Sequence, residues 1–266
     1  MDGISEARAA LDAADAVLVG AGAGMGVDSG LPDFRGAEGF WRAYPPFREL
    51  GLSFEEMASP HHFQENPTLG WGFYGHRLHL YRDVVPHRGF ELLDRLIGSR
   101  PRFVFTSNVD GGFQRAGWGD HEVVEIHGSI HHLQCLEGCT ERVWSADGTD
   151  VDVDPATFRA RPPLPRCPGC GGAARPNVMM FGDWGWSPVR SDAQARRYSD
   201  WLEEVRDRRI VAIEMGAGTT LPSVRYECER RGDTLVRINP RESHGPPGTV
   251  SIAAGALAAL EAIAAE

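Results

Sequence analysis

The chain has 266 residues, 27 basic against 37 acidic, for a formal charge of −10. All 27 basic residues are arginine, which excludes a phosphate-loop lysine, a Schiff-base lysine and a Ser–Lys nucleophile pair. The acidic balance argues against nucleic acid as the main partner, where a basic surface is expected.

Length permits a sizeable core, arranged as one large domain or a large one plus a small one. An apolar content of 42% and a charged content of 24% are ordinary for a soluble globular protein. The opening MDGISEARAALDAADAV has no basic region ahead of an apolar stretch, and no apolar run approaches the roughly 18 residues needed to span a bilayer. The expectation is a cytoplasmic protein without membrane attachment. In that setting five cysteines suggest metal or reactive thiols more than disulfides.

Residues 5–14 read as a helix with Ser5 as its cap, and Ala16–Val19 as a short buried strand running into glycines. Comparable apolar runs recur at Phe103–Phe105, Val123–Ile126, Ile210–Ile213 and Leu235–Ile238. Helical patterns at Gly89–Ile97, Asp192–Arg206 and Ser223–Arg231 lie among them, and the alanine-rich tail reads as a closing helix. Strands alternating with helices predict an α/β fold with a doubly wound, Rossmann-like parallel sheet. Two stretches interrupt the alternation: residues 37–85, aromatic and helical, and residues 133–182, proline-rich and carrying four of the five cysteines. The expected division is a large domain of 1–36, 86–132 and 183–266, with the two insertions forming a smaller one.

The run GAGAGMGVDSGLPDFRG (Gly20–Gly36) follows the first strand. Glycines let the backbone turn tightly and approach a phosphate. The G-x-G-x-x-G pattern is not met, since Gly20 and Gly22 would need a glycine at Met25. Asp33, Phe34 and Arg35 come just beyond. A second strand end, TSNVDG, brings Ser107, Asn108 and Asp110, and a third, EIHGS, brings His127. In an open parallel sheet ligands bind at the carboxyl ends of strands, so the three segments are expected to converge on one crevice.

Cys135 and Cys139 are followed 28 positions after the latter by Cys167, and then by Cys170. Two close pairs separated by a loop suit one tetrahedral zinc, in preference to free or disulfide-bonded cysteines. Four thiolates close the site, so its role would be structural, stapling an insertion too poor in core to fold alone. Cys228, in a helical segment, reads as a packing residue.

With the glycine loop, PDFR, T-x-N-x-D and His-Gly segments in this order and spacing, the chain resembles the sirtuins, the NAD-dependent protein deacylases, over nearly its whole length. The resemblance implies that Gly22, Ala23 and Gly24 bind NAD, with Asp33, Phe34 and Arg35 near the nicotinamide and its ribose. It implies that Ser107, Asn108 and Asp110 lie at the nicotinamide end, and that His127 is the general base for a ribose hydroxyl. In that chemistry the acyl-amide oxygen attacks the ribose carbon as nicotinamide leaves, and the acyl group finishes on ADP-ribose. Gly216, Ala217, Gly218 and Asn239 would occupy the later NAD-binding strand ends, with Ala256 toward the adenine. The stretch RPNVMMFGD, with Val178, Phe181 and Gly182, resembles the segment that pairs with substrate backbone. The partners implied are acylated lysines of proteins.

Tyr74 and Arg77, three apart on one helix face, match the Tyr-x-x-Arg pair of the branch that prefers acidic acyl groups: succinyl, malonyl or glutaryl. The other reading is an aromatic core contact with a solvated arginine. His62 stands where that branch carries a small residue. Three further departures bear on chemistry: Met25–Gly26 in place of Ile–Ser, Ser107 in place of glutamine, and PHRGF (Pro86–Phe90) in place of P-N-x-x-H. They leave two alternatives open, an ADP-ribosyltransferase or NAD hydrolase on the same fold, and a non-enzymatic NAD-sensing module.

Overall fold

The computed structural model describes residues 3–33 and 36–266, with backbone alone at 36–38; Phe34 and Arg35 lie outside the described residues. The strands are β1 (Ala16–Ala21), β2 (Arg102–Thr106), β3 (Val123–Glu125), β4 (Gly128–Cys135), β5 (Trp144–Ser145), β6 (Ala174–Val178), β7 (Ile210–Met215), β8 (Thr234–Ile238) and β9 (Val250–Ile252). Helices α1 (Gly3–Asp12), α2 (Gly36–Ala43), α3 (Pro45–Glu49), α4 (Phe54–Met57), α5 (His61–Glu65) and α6 (Pro67–Asp83) come from the first third of the chain. They are followed by α7 (Gly89–Ile97), α8 (Gly112–Arg115), α9 (Val189–Glu204), α10 (Ser223–Arg231) and α11 (Ala256–Ala265).

Six strands form a parallel sheet in the order β3-β2-β1-β7-β8-β9. The chain winds outward from β1 in one direction and from β7 in the other, so the topological switch point lies between these two neighbours. All six residues of β1 are buried, as expected for a strand covered on both faces. Val17, Val19 and Ala21 point into a core shared with α1, α7 and α11, while Ala16 and Leu18 pack with Tyr198, Trp201 and Val224 from α9 and α10. Helix α7 illustrates the logic on the helical side: Phe90, Leu93 and Ile97 recur on one face and are buried.

A three-stranded antiparallel sheet, β5-β4-β6, belongs to the smaller module. Its core joins residues from α2–α6 to Ile130, Leu133, Val151 and Val178. Phe40, Tyr44, Phe47 and Phe73 interlock there with ring centroids 5.1–5.9 Å apart.

Three boundaries differ from expectation. Strand β4 runs through the expected 132/133 domain division, because it pairs with β6 on both sides of that point, through Gly128 and Ser129 before it and Leu133 to Cys135 after an irregularity in register. The tail is not all helix: Val250 and Ile252 are buried beside β8 as strand β9, and α11 starts only at Ala256. Helix α1 starts at Gly3, which puts Ser5 inside it. Among the described residues, no helix is long and apolar enough to cross a membrane.

Candidate active site and thiolate centre

The carboxyl ends of β1 and β7 define the crevice. The glycine loop leaves β1 and returns on itself in two short 3₁₀ turns, Ala23–Met25 and Val27–Ser29. It lies directly on the turn after β7: the Gly22 amide donates to Met215 O (3.0 Å) and the Gly24 amide to Gly216 O (3.1 Å). A Cβ on Gly24 would sit 2.6 Å from Gly216 Cα, so only glycine permits this backbone-on-backbone contact. Gly216 also has φ of 62°, in the left-handed region. Ala217, buried, follows it, and its carbonyl accepts from Asn239 Nδ2 at the end of β8 (3.0 Å). Asn239 Oδ1 in turn accepts the Arg241 and Glu242 amides (3.1 and 3.0 Å). Ala256 opens α11, whose Leu257 amide donates to Asp28 of the glycine loop (2.9 Å). Gly22, Ala23, Gly24, Gly216, Ala217, Gly218, Asn239 and Ala256 are thus all at or beside the switch point.

The end of β2 closes the crevice on one side. Thr106 Oγ1 donates to Ala21 O (2.8 Å) and accepts the Asn108 amide (3.0 Å), which aims Asn108 at the glycine loop. Asn108 Nδ2 then donates to Gly22 O at 2.9 Å, and the Ser107 amide to Ala21 O at 3.3 Å. Asp110 Oδ1 accepts the Gly112 amide (2.7 Å). Burial pushes the Asp110 carboxyl up to about 6, opposed by that amide. A cavity of about 10 Å³, lined by Gly26, Ser29, Tyr81, Phe90, Asn108 and Asp110, has room for about one water.

His127 follows β3 and is half-buried. Burial pulls its pKa below the ordinary histidine value, partly offset by the bond its ring donates to the Ser107 carbonyl. Its own carbonyl accepts the Met179 amide (2.9 Å), linking the large sheet to the end of β6. The strand beneath is clamped from α9: Glu125 pairs with Arg190 (2.6 Å) and Gln194 (3.2 Å), and Ser191 Oγ donates to Glu125 O (3.0 Å). Asp33 is half-buried at the end of the glycine loop.

Helix α6 carries Tyr74 and Arg77, both buried. The solvated-arginine alternative is therefore overturned. Arg77 donates from Nε and Nη2 to the Tyr81 hydroxyl (3.0 and 2.7 Å), and its guanidinium lies 5.2–5.5 Å from the Phe73, Tyr74 and Tyr81 ring centroids. Burial pushes the Tyr74 phenol up to about 12. His62, on α5, is held by the Glu56 carbonyl (3.0 Å). Val178 is buried at the end of β6; beyond it Phe181 is 38% and Trp184 99% exposed, while Gly182 turns at φ of 66°. The Phe181 amide donates to Ala58 O (2.9 Å), so this segment bridges the helical module.

The four cysteines converge. Their Sγ atoms all lie within 4.8 Å of one another, with Cys135–Cys170 at 3.8 Å and Cys139–Cys167 at 3.6 Å. Tetrahedral zinc with Zn–S bonds of about 2.3 Å requires S···S edges of about 3.8 Å, so the donor set fits. The Gly169 and Gly172 amides point at Cys167 and Cys170 sulfur (3.4 Å each), which favours thiolates. Cys228 is buried against β1, with its sulfur where a Gly20 side chain would be.

Several site-forming residues escape a reading of the sequence. Tyr81 carried a usable signal, four positions after Arg77 on the same face. Arg237 did too, as a charge inside the apolar run TLVRI: it is fully buried and paired with Glu214 (2.8 Å) beneath the Asn239 turn. Glu125 and its α9 partners are far apart in sequence, and no local pattern joins them.

Fold and site together define a doubly wound α/β protein with a dinucleotide-type crevice and a four-thiolate module. Comparison with known proteins narrows this. The Sir2 family profile matches residues 22–200. An NAD-dependent protein deacylase of Deinococcus radiodurans is 34% identical over 270 aligned positions, spanning 97% of each chain. One of Aquifex aeolicus is 31% identical, spanning 84% of this chain and 82% of its own. A solved Sir2 homologue mutant–ADP ribose complex has a TM-score of 0.72 at 25% identity, covering all of this chain and 96% of that one. A Sir2 homolog–NAD complex shares the fold at 24% identity and the same TM-score. The chain belongs to the Sir2 family, the sirtuins.

Proposed function

We infer that the chain is an NAD-dependent protein lysine deacylase that prefers acidic acyl groups. NAD supplies the ADP-ribosyl acceptor: the acyl-amide oxygen bonds to the ribose carbon as the bond from that carbon to nicotinamide breaks. Water then frees the lysine amine and leaves the acyl group on ADP-ribose. The observation that carries the deacylase reading is His127: a half-buried histidine at a strand end, kept neutral by burial and oriented by the Ser107 carbonyl beside the glycine loop. A neutral imidazole beside a ribose site can accept a hydroxyl proton. Asn108 and Asp110 shape the nicotinamide end, Gly22–Gly24, Gly216–Gly218 and Asn239 the phosphate and adenosine end, and zinc on the four cysteines stiffens the smaller module.

The acyl preference rests on α6. Arg77 is a buried guanidinium walled by aromatic rings, with two donors on a phenol oxygen. A carboxylate is a stronger acceptor than a neutral phenol and suits the planar fork, so an acyl carboxylate can take over those donors. The exposed Phe181–Trp184 edge then lies where peptide backbone enters.

The test is a panel of acetyl-, malonyl-, succinyl- and glutaryl-lysine peptides with NAD, read by mass spectrometry, with Tyr74→Phe and Arg77→Met variants. The expected result is O-acyl-ADP-ribose and nicotinamide in equal amounts, faster for the acidic acyl groups, with that advantage lost in both variants. Loss of NAD without change in any peptide would overturn the deacylase reading. Equal rates for acetyl and acidic acyl groups would overturn the carboxylate clamp alone.

A further inference from the structure

The PHRGF segment, where this chain departs from its family, places a histidine against the back of the glycine loop. His87 is 9% exposed and bonded on three sides. Its amide donates to Ser29 Oγ (2.9 Å), its Nε2 lies 2.9 Å from Met25 O, and its Nδ1 lies 2.9 Å from the Gly89 amide. An amide N–H only donates, so Nδ1 accepts; Nε2 therefore carries the hydrogen and donates to the Met25 carbonyl. The ring is a fixed bridge from the first turn of α7 to the loop. A Cβ at Gly89 would meet it at 2.5 Å, so the helix start is shaped around the imidazole.

Met25 closes the first 3₁₀ turn of the loop, its amide donating to Gly22 O (2.9 Å). Ser29 ends the second turn and lines the small cavity with Asn108 and Asp110. His87 thus grips both turns from behind, while Asp28 ties the loop to α11 and Gly24 ties it to β7.

We propose that His87 is a positioning residue for the cofactor loop, holding Met25 and Ser29 so that the Gly22–Gly24 turn keeps its shape at the NAD crevice. The proposal rests on the NAD reading of the crevice and not on the acyl preference. Two substitutions separate its contacts. In His87→Asn the amide oxygen overlays Nδ1 and keeps the Gly89 bond, but nothing reaches Met25. In His87→Gln the amide nitrogen overlays Nε2 and restores a donor to the Met25 carbonyl.

NAD affinity by titration calorimetry on the zinc-loaded protein, KM for NAD and for peptide, and melting temperature are measured for both. The expected result is NAD binding weakened about tenfold in His87→Asn, the worth of one buried hydrogen bond. Peptide KM stays unchanged, and His87→Gln recovers most of the loss. Equal losses in the two variants, or parallel loss of NAD and peptide binding that tracks melting temperature, would reduce His87 to a packing role. Wild-type protein that binds no NAD would overturn the cofactor reading itself, and this inference with it.

Discussion

At the scale of single residues, the site works by fixing protonation as much as position. His127 and Asp110 both lose hydration on burial, and their pKa values move in opposite directions. The imidazole is pushed toward its neutral form and the carboxyl, at about 6, also toward its neutral form, so one is pulled down and the other up. A base must be unprotonated to act, and a lowered pKa keeps it so to more acidic pH. The rate constant kcat/KM should therefore rise with pH to a midpoint below the ordinary histidine value of about 6.5 and stay flat above it. Asp110 titrates in the same region, so the profile is best taken in Asp110→Asn as well, where Asn keeps an acceptor for the Gly112 amide. In that variant the carboxyl no longer contributes to the acid limb. Adding His131→Ala, which removes a ring that contacts Asp110 O and is likewise pulled down by burial, separates that histidine from His127. A midpoint at or above pH 7 in Asp110→Asn would contradict the burial of His127 in the working enzyme.

At the scale of elements, legibility follows burial. Strands β1, β2, β3, β7 and β8 stand out in the sequence because strands covered on both faces are unbroken apolar runs. Strand β9 did not, since three residues with Ser251 exposed carry too little pattern beside an alanine-rich tail. Strand β4 contains His131, His132 and Gln134, and β6 contains Arg175 and Pro176; such residues read as loop. Tertiary partners account for them: Arg175 pairs with buried Asp183, Gln134 with Asn177, and the His131 ring with Asp110 O. The same rule divides the site. His127, Asn108 and the glycines were legible because strand ends announce themselves, whereas Glu125 and His87 act through partners that only the fold brings near. The cysteine-bearing stretch has the weakest elements of all, β5 being two residues long. Its order should depend on metal. One zinc per chain is the expected content, and stripping it with a strong chelator should lower the melting temperature by roughly 5–10 °C, a few kcal/mol for a domain of this size. Proteolysis should then concentrate within residues 133–182. Metal-free protein with unchanged melting and cleavage would show that the sulfurs cluster without a structural role.

At the scale of the whole molecule, the charge of −10 acquires a direction. On the lysine-deacylase reading the substrate arrives as a peptide, and a net negative surface attracts peptides with basic neighbours and repels acidic ones. The chain has no lysine, so acylation, which would erase lysine charge, finds no side-chain amine and leaves the side-chain field unchanged. Two succinyl-lysine peptides of one length, one flanked by arginines and one by glutamates, make the comparison. At low salt the basic peptide should show a KM lower by about tenfold, since surface potentials of this kind raise local concentration by that order. At 0.5 M salt the Debye length falls to about 4 Å and the ratio should shrink to about twofold, with kcat hardly moved. Pre-treating the enzyme with acetic anhydride should leave the salt dependence as it was, whereas a lysine-bearing enzyme would gain negative charge and steepen it. If the two peptides keep the same KM at every salt concentration, the charge of the molecule takes no part in substrate recognition and serves solubility alone.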